Sequence, residues 1–148
     1  MKMEFNTNQI PLIVEKIFEK ILKTENDHAK VLALSGDLGA GKTTLTQEIA
    51  KELGVKENVV SPTFVIMKIY DINQKSKYYS YFKKLIHIDA YRIENTKELV
   101  LFGWKEIISN KNNLVVVEWP EKIKSVIPKY AMKVSLSHIN EETRKINF

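Results

Sequence analysis

Cysteine is absent from the 148 residues, which excludes disulfides and thiolate metal sites. That absence fits a cytoplasmic protein, and a cytoplasmic location is the expectation. No apolar run approaches the roughly 18 residues of a membrane-spanning helix, so no membrane association is expected. The opening Met1–Asn8 lacks the basic-then-apolar pattern of a secretory signal. Repeats and low-complexity linkers are also missing, and the length suits one domain over residues 1–148 around a single core. Arginine is scarce: of 23 basic residues only Arg92 and Arg144 are arginines. The net charge of +5 is therefore carried by lysine and reads as a solvated surface more readily than as a nucleic-acid footprint.

Hydrophobic periodicity supplies the framework. Ile10, Val14, Ile17, Phe18, Ile21 and Leu22 recur at helical spacing, with Asn8 as the expected cap and Pro11 tolerable in the first turn. Val31–Leu34 is a short continuous apolar run, as expected of a strand buried on both faces. A glycine-rich turn follows, then a helix from about Lys42 to Leu53 that Gly54 can end in a left-handed conformation. Phe64–Tyr70 reads as a strand. Leu85–Ile88 and Leu114–Val117 read as buried strands, each followed by an acid. Between them, Asn95–Ser109 has a helical pattern, with Asn95 and Glu98 in capping-box spacing. Met132–Leu136 and Arg144–Phe148 alternate like an antiparallel pair. Strands alternating with helices predict an α/β fold, a mixed and mostly parallel sheet flanked by helices.

Gly36-Asp37-Leu38-Gly39-Ala40-Gly41-Lys42-Thr43 matches G-x-x-x-x-G-K-[ST] at every fixed position, between a buried strand and a helix. The glycines let backbone amides approach phosphate oxygens, and the first-turn amides of the helix are unpaired with the dipole favouring an anion. Lys42 adds a mobile positive charge for the β- and γ-phosphates, and Thr43 offers a hydroxyl to magnesium. ATP with Mg2+ is the expected ligand. A loop of this kind also needs an acid on a neighbouring strand, and Asp89 and Glu118 both qualify. One can hold metal while the other positions water; strand position alone does not divide the roles.

Beyond this loop, Ser61-Pro62-Thr63-Phe64, His87-Ile88-Asp89-Ala90-Tyr91-Arg92 and Val117-Glu118-Trp119-Pro120-Glu121 stand in an order that resembles the bacterial TsaE family, the ATPase of the tRNA threonylcarbamoyladenosine pathway. The similarity extends over nearly the whole chain to an Arg-x-Ile stretch at Arg144–Ile146. The resemblance implies a small P-loop NTPase fold and ATP binding at Gly39, Ala40, Gly41, Lys42, Thr43 and Thr44. It implies magnesium held by Thr43 and Glu118, Asp89 as an acid needed for hydrolysis, and Thr63 in a loop that senses the γ-phosphate. It also implies TsaB-like and TsaD-like partners, which place threonylcarbamoyl on the adenosine beside the tRNA anticodon, with ATP hydrolysis supporting turnover of that complex and tRNA contact indirect. Two departures stand out: the Asp71–Lys84 connection is longer than the family's usual hairpin, and Phe5–Gln9 matches weakly, which leaves adenine and ribose contacts unassigned.

Smaller signals have plainer readings. Lys75, Lys77, Tyr78, Tyr79, Tyr81, Phe82, Lys83 and Lys84 interleave bases with aromatics, which suits RNA stacking but more readily a hairpin packing on the sheet. His87 within an apolar strand reads as a hydrogen-bonded core histidine, and Trp119 suits either the nucleotide site or the core. Phosphoryl transfer often draws on an arginine finger. With only two arginines, and Arg92 expected to be held by acids such as Glu94, the isolated chain should hydrolyse ATP slowly and a partner should complete the site. The same scarcity disfavours a small-molecule kinase with an arginine-bearing lid. Asn110-Lys111-Asn112-Asn113 lacks the aspartate that reads guanine, so an ATP-dependent switch remains the other alternative.

Overall fold

The computed structural model describes residues 1–148. Seven strands form one sheet: β1 (Lys2–Asn6), β2 (Lys30–Ser35), β3 (Met67–Asp71), β4 (Lys84–Asp89), β5 (Asn113–Glu118), β6 (Met132–His138) and β7 (Thr143–Asn147). Their spatial order is β1-β7-β6-β2-β5-β4-β3, parallel from β6 through β4 and antiparallel at β1–β7, β7–β6 and β4–β3. Two reversals at the β1 side cancel, so all strands except β3 and β7 run the same way. The sheet is mixed and mostly parallel, as the alternating pattern predicts.

The helices α1 (Ile10–Leu22), α2 (Lys42–Glu52), α3 (Lys97–Leu101) and α4 (Trp104–Ser109) cover both faces. Odd and even positions along each central strand must then both find apolar partners, which is why these strands read as unbroken apolar runs. Leu32, Leu34, Leu114, Val116 and Val134 pack with Ile13, Ile17 and Phe18 of α1 and Leu45 and Ile49 of α2. Val31, Ala33, Val115, Val117, Ile86 and Ile88 pack on the other face with Leu99, Trp104 and Ile123. Each such side chain contributes on the order of 1.5–3 kcal/mol when fully buried. In β5 every residue from Asn113 to Glu118 is buried, which fixes the strand that carries the acid at its end.

Several local expectations need correction. Asn8 does not cap α1: a 3-10 turn at Thr7–Gln9 precedes the helix, and the Asn6 amide donates to Gln9 Oε1 at 2.8 Å. The third strand begins at Met67, not Phe64, because the amides of Val65 and Ile66 both turn back to the Pro62 carbonyl. The Asn95–Ser109 helix is two short helices, α3 and α4, separated at Gly103 with φ 77°. The expected capping box does not form: Thr96 is the N-cap, the Asn95 side chain accepts from the Lys97 amide, and Glu98 Oε2 is buried without a partner. Strand β1 has no counterpart in the periodicity reading, and only Phe5 of its five residues is buried. In the long 71–84 connection, Tyr78 stacks on Phe18 at 4.2 Å and Phe82 lies 6.5 Å from the same ring, so these aromatics belong to the core.

Candidate functional site

The glycine loop joins the carboxyl end of β2 to the start of α2. Gly36 is required by crowding as well as backbone: a Cβ there would lie 2.4 Å from the Leu136 carbonyl oxygen. Gly39 and Gly41 have φ of 78° and 102°, and a Cβ on either would meet nothing within 4 Å. Their backbone faces open space, as a loop that admits a ligand requires. The Leu45 amide donates to the Gly41 carbonyl at 2.9 Å as the first bond of α2, so the amides of Lys42, Thr43 and Thr44 lack helical acceptors. Gly39, Gly41, Lys42, Thr43 and Thr44 line a cleft of about 390 Å³ together with Thr63, Asp89 and Glu118. Ala40 alone of the 39–44 stretch does not; it is buried and its amide donates to the Asp37 carbonyl at 3.0 Å.

Lys42 is 5% exposed, and its ammonium turns back on the loop, donating to the carbonyls of Gly36 and, at 3.0 Å, Asp37. It also lies 4.2 Å from the centre of the Trp119 ring, a cation–π contact. Burial pushes the ammonium below the ordinary lysine value, against the pull of Glu118, Glu121, Asp89 and Asp37.

The two acids are built into different networks. Glu118 is 2% exposed, and both carboxylate oxygens accept from the Thr43 hydroxyl at 3.1 Å. Its Oε1 also lies 2.8 Å from Nε2 of the fully buried His87. His87 is thus a core histidine as expected, but one bonded to the candidate metal carboxylate. Asp89 lies beside Glu118 in the β4–β5 register. Its Oδ2 accepts from the hydroxyls of Ser61 and, at 2.8 Å, Thr63, and its Oδ1 accepts from the Tyr91 amide at 3.0 Å. The structure brings all the expected site residues to one mouth except Ala40, adds Ser61 and Tyr91 to it, and sets His87 behind Glu118, outside the cleft. Two signals point to the histidine: the period-two alternation of β4, which puts His87 and Asp89 on one face, and its place in the His87–Arg92 stretch that carries the family resemblance.

Trp119 has a left-handed φ of 57°, turning the chain at the end of β5 so that its ring reaches Lys42 and, 5.1 Å away, Tyr91. Both readings of Trp119 hold, since it lines the cleft and also packs against the core of Val117, Ile123 and their neighbours. Neither arginine lines that cleft. Arg92 stacks on Phe64 at 4.6 Å and forms no ion pair with Glu94, contrary to expectation. Arg144 donates to the carbonyls of Asn140, Glu141 and Thr143.

No three of His, Cys, Asp and Glu gather into an all-protein metal cage. Magnesium does not need one, since it takes one or two protein oxygens plus phosphate and water. The Thr43 hydroxyl beside a buried carboxylate fits that hard-oxygen preference.

The family model for the threonylcarbamoyl adenosine biosynthesis protein TsaE matches residues 11–146. The chain is 32% identical over 127 residues to the tRNA threonylcarbamoyladenosine biosynthesis protein TsaE of Haemophilus influenzae, covering 86% of this chain and 75% of that one. It is 35% identical to the Rickettsia prowazekii protein of the same name, covering 87% and 81%. The crystal structure of Bacillus subtilis YdiB superposes with a TM-score of 0.68 at 26% identity, covering 99% of this chain and 82% of that one. The fold is that of the P-loop NTPases, and the chain belongs to the TsaE family of tRNA threonylcarbamoyladenosine biosynthesis proteins.

Proposed function

We propose that this protein is the magnesium-dependent ATPase subunit of a tRNA-modifying assembly, acting in the cytoplasm with TsaB-like and TsaD-like partners that install threonylcarbamoyl on the adenosine beside the anticodon. The observation that carries the reading is the contact of Thr43 with both oxygens of Glu118, next to the open Gly39–Thr44 loop. In this reading the first-turn amides and Lys42 bind the phosphates, and Lys42 exchanges its carbonyl partners for phosphate oxygens. Thr43 and Glu118 hold Mg2+, which neutralises charge developing on the phosphates when bound. Asp89 is the candidate for orienting the attacking water, and Thr63, bonded to Asp89, is the group through which the 61–66 loop meets the γ-phosphate. Ala40 serves through the shape of the turn.

The decisive experiment measures threonylcarbamoyladenosine in tRNA from cells depleted of this protein and complemented with it or with Lys42→Ala. Loss on depletion, restored only by the unsubstituted protein, supports the reading. Unchanged modification on depletion overturns the pathway assignment. Phosphate transferred from ATP to an added nucleoside or sugar would instead establish a kinase.

A further inference from the structure

His87 stands in β4 among Leu85, Ile86 and Ile88, all buried. An apolar residue would pack there without difficulty, and the histidine carries a penalty: its Nδ1 is buried with no hydrogen-bond partner. What it gains is one bond, from Nε2 to Glu118 Oε1 at 2.8 Å. Facing a carboxylate oxygen, Nε2 is the ring nitrogen that donates. Glu118 has only one other partner, the Thr43 hydroxyl, which lies 3.1 Å from both oxygens and so does not choose between them. A carboxylate held by Thr43 alone would be free to rotate about its terminal torsion. The histidine bond removes that freedom, because it engages Oε1 alone and leaves Oε2 with the Thr43 hydroxyl as its one partner.

We propose that His87 is a positioning residue for the metal site: its Nε2–H fixes the plane of the Glu118 carboxylate and thereby sets the magnesium affinity of the nucleotide complex. The inference rests on the magnesium–nucleotide reading above. Such supporting donors behind a metal-holding carboxylate are typically worth 10–100-fold in metal affinity. A core histidine of purely structural value would move overall stability instead and leave the metal dependence alone.

The test is calorimetric titration of the intact protein with ADP across a series of magnesium concentrations. His87→Phe keeps a ring of similar size without a donor, and His87→Gln keeps an amide N–H that can reach the same oxygen. The expected result is that His87→Phe raises the magnesium concentration for half-maximal tightening of ADP by at least tenfold, with ADP affinity in EDTA unchanged, and that His87→Gln recovers most of the loss. Equal magnesium dependence in His87→Phe and the unsubstituted protein overturns the role of His87 alone, as does a His87→Gln variant no better than His87→Phe. ADP binding by the unsubstituted protein that ignores magnesium overturns the metal reading and this inference with it. Should His87→Phe not fold, nitrogen-15 NMR of the unsubstituted protein decides: a hydrogen on Nε2 that shifts with magnesium–ADP but not with ADP alone supports the role, and an Nε2 that carries no hydrogen or does not respond to magnesium overturns it.

Discussion

Lys42 folds its ammonium back on carbonyls of its own loop, a contact that the proposed ATP binding would exchange for phosphate. Hydrogen bonds to charged groups contribute about 1.5–3 kcal/mol, so Lys42→Met should weaken ATP binding by roughly 10–100-fold, measured by equilibrium dialysis. The same variant tests the effect of burial. With the folded value held below the ordinary lysine value, the unfolded chain binds more protons in the window just beneath the latter, so stability rises with pH there. Three tyrosines whose values burial raises act in the opposite sense over the same range, so the readout is the difference: in urea denaturation, the stability of the unsubstituted protein relative to Lys42→Met should rise as pH approaches 10.5. The two acids separate by their partners. Glu118 touches the Thr43 hydroxyl, whereas Asp89 is engaged by Ser61, Thr63 and the Tyr91 amide. Glu118→Ala should therefore reduce the magnesium dependence of nucleotide binding more than Asp89→Ala, while Asp89→Ala should act chiefly on turnover. The reverse order would exchange the assignments.

At the scale of elements, the loop between α2 and β3 is held by the end of β4. The Asp89 amide donates to the Ile66 carbonyl at 2.9 Å, its side chain takes the Ser61 and Thr63 hydroxyls, and Ile66 sits at φ 69°, strained for a β-branched residue. Removing one of these ties, in Ser61→Ala, should speed hydrogen exchange at the Val65 and Ile66 amides by about tenfold, with central β5 unaffected. Gly36→Ala places a methyl group 2.4 Å from the Leu136 carbonyl oxygen and should destabilise the fold by at least about 1–3 kcal/mol in urea denaturation. These dependencies explain what the sequence revealed and what it hid. The buried strands and the glycine loop were legible because each signal is local: a run of apolar residues, or eight consecutive positions. The Ser61–Asp89 and His87–Glu118 bonds join residues 28 and 31 positions apart and leave no local periodicity. Strand β1 buries only Phe5, too little to imprint alternation. The break at Gly103 was readable in principle, since a glycine inside a helical pattern is the usual left-handed stop, but the apolar spacing on either side masked it.

At the scale of the whole molecule, the cleft is complete in amides, lysine, hydroxyls and carboxylates but contains no arginine. Arg92 rests on Phe64 and Arg144 is occupied in the Asn140–Thr143 turn. ATP hydrolysis by the isolated protein should accordingly be slow, and adding TsaB-like and TsaD-like partners should accelerate it; an arginine supplied in trans is worth on the order of 10³-fold or more. Brisk turnover by the purified chain alone, followed by phosphate release, would contradict this. The outer strands have a different consequence. β1 and β3 are each five residues long and expose Lys2 and Glu4 on one side of the sheet, Lys68 and Asp71 on the other. A foreign strand laid along β1 would sit against Lys2 and Glu4, and one laid along β3 would meet Lys68 and Asp71 on either side of the exposed Ile69, so both borders are short and charged, which disfavours edge-to-edge pairing.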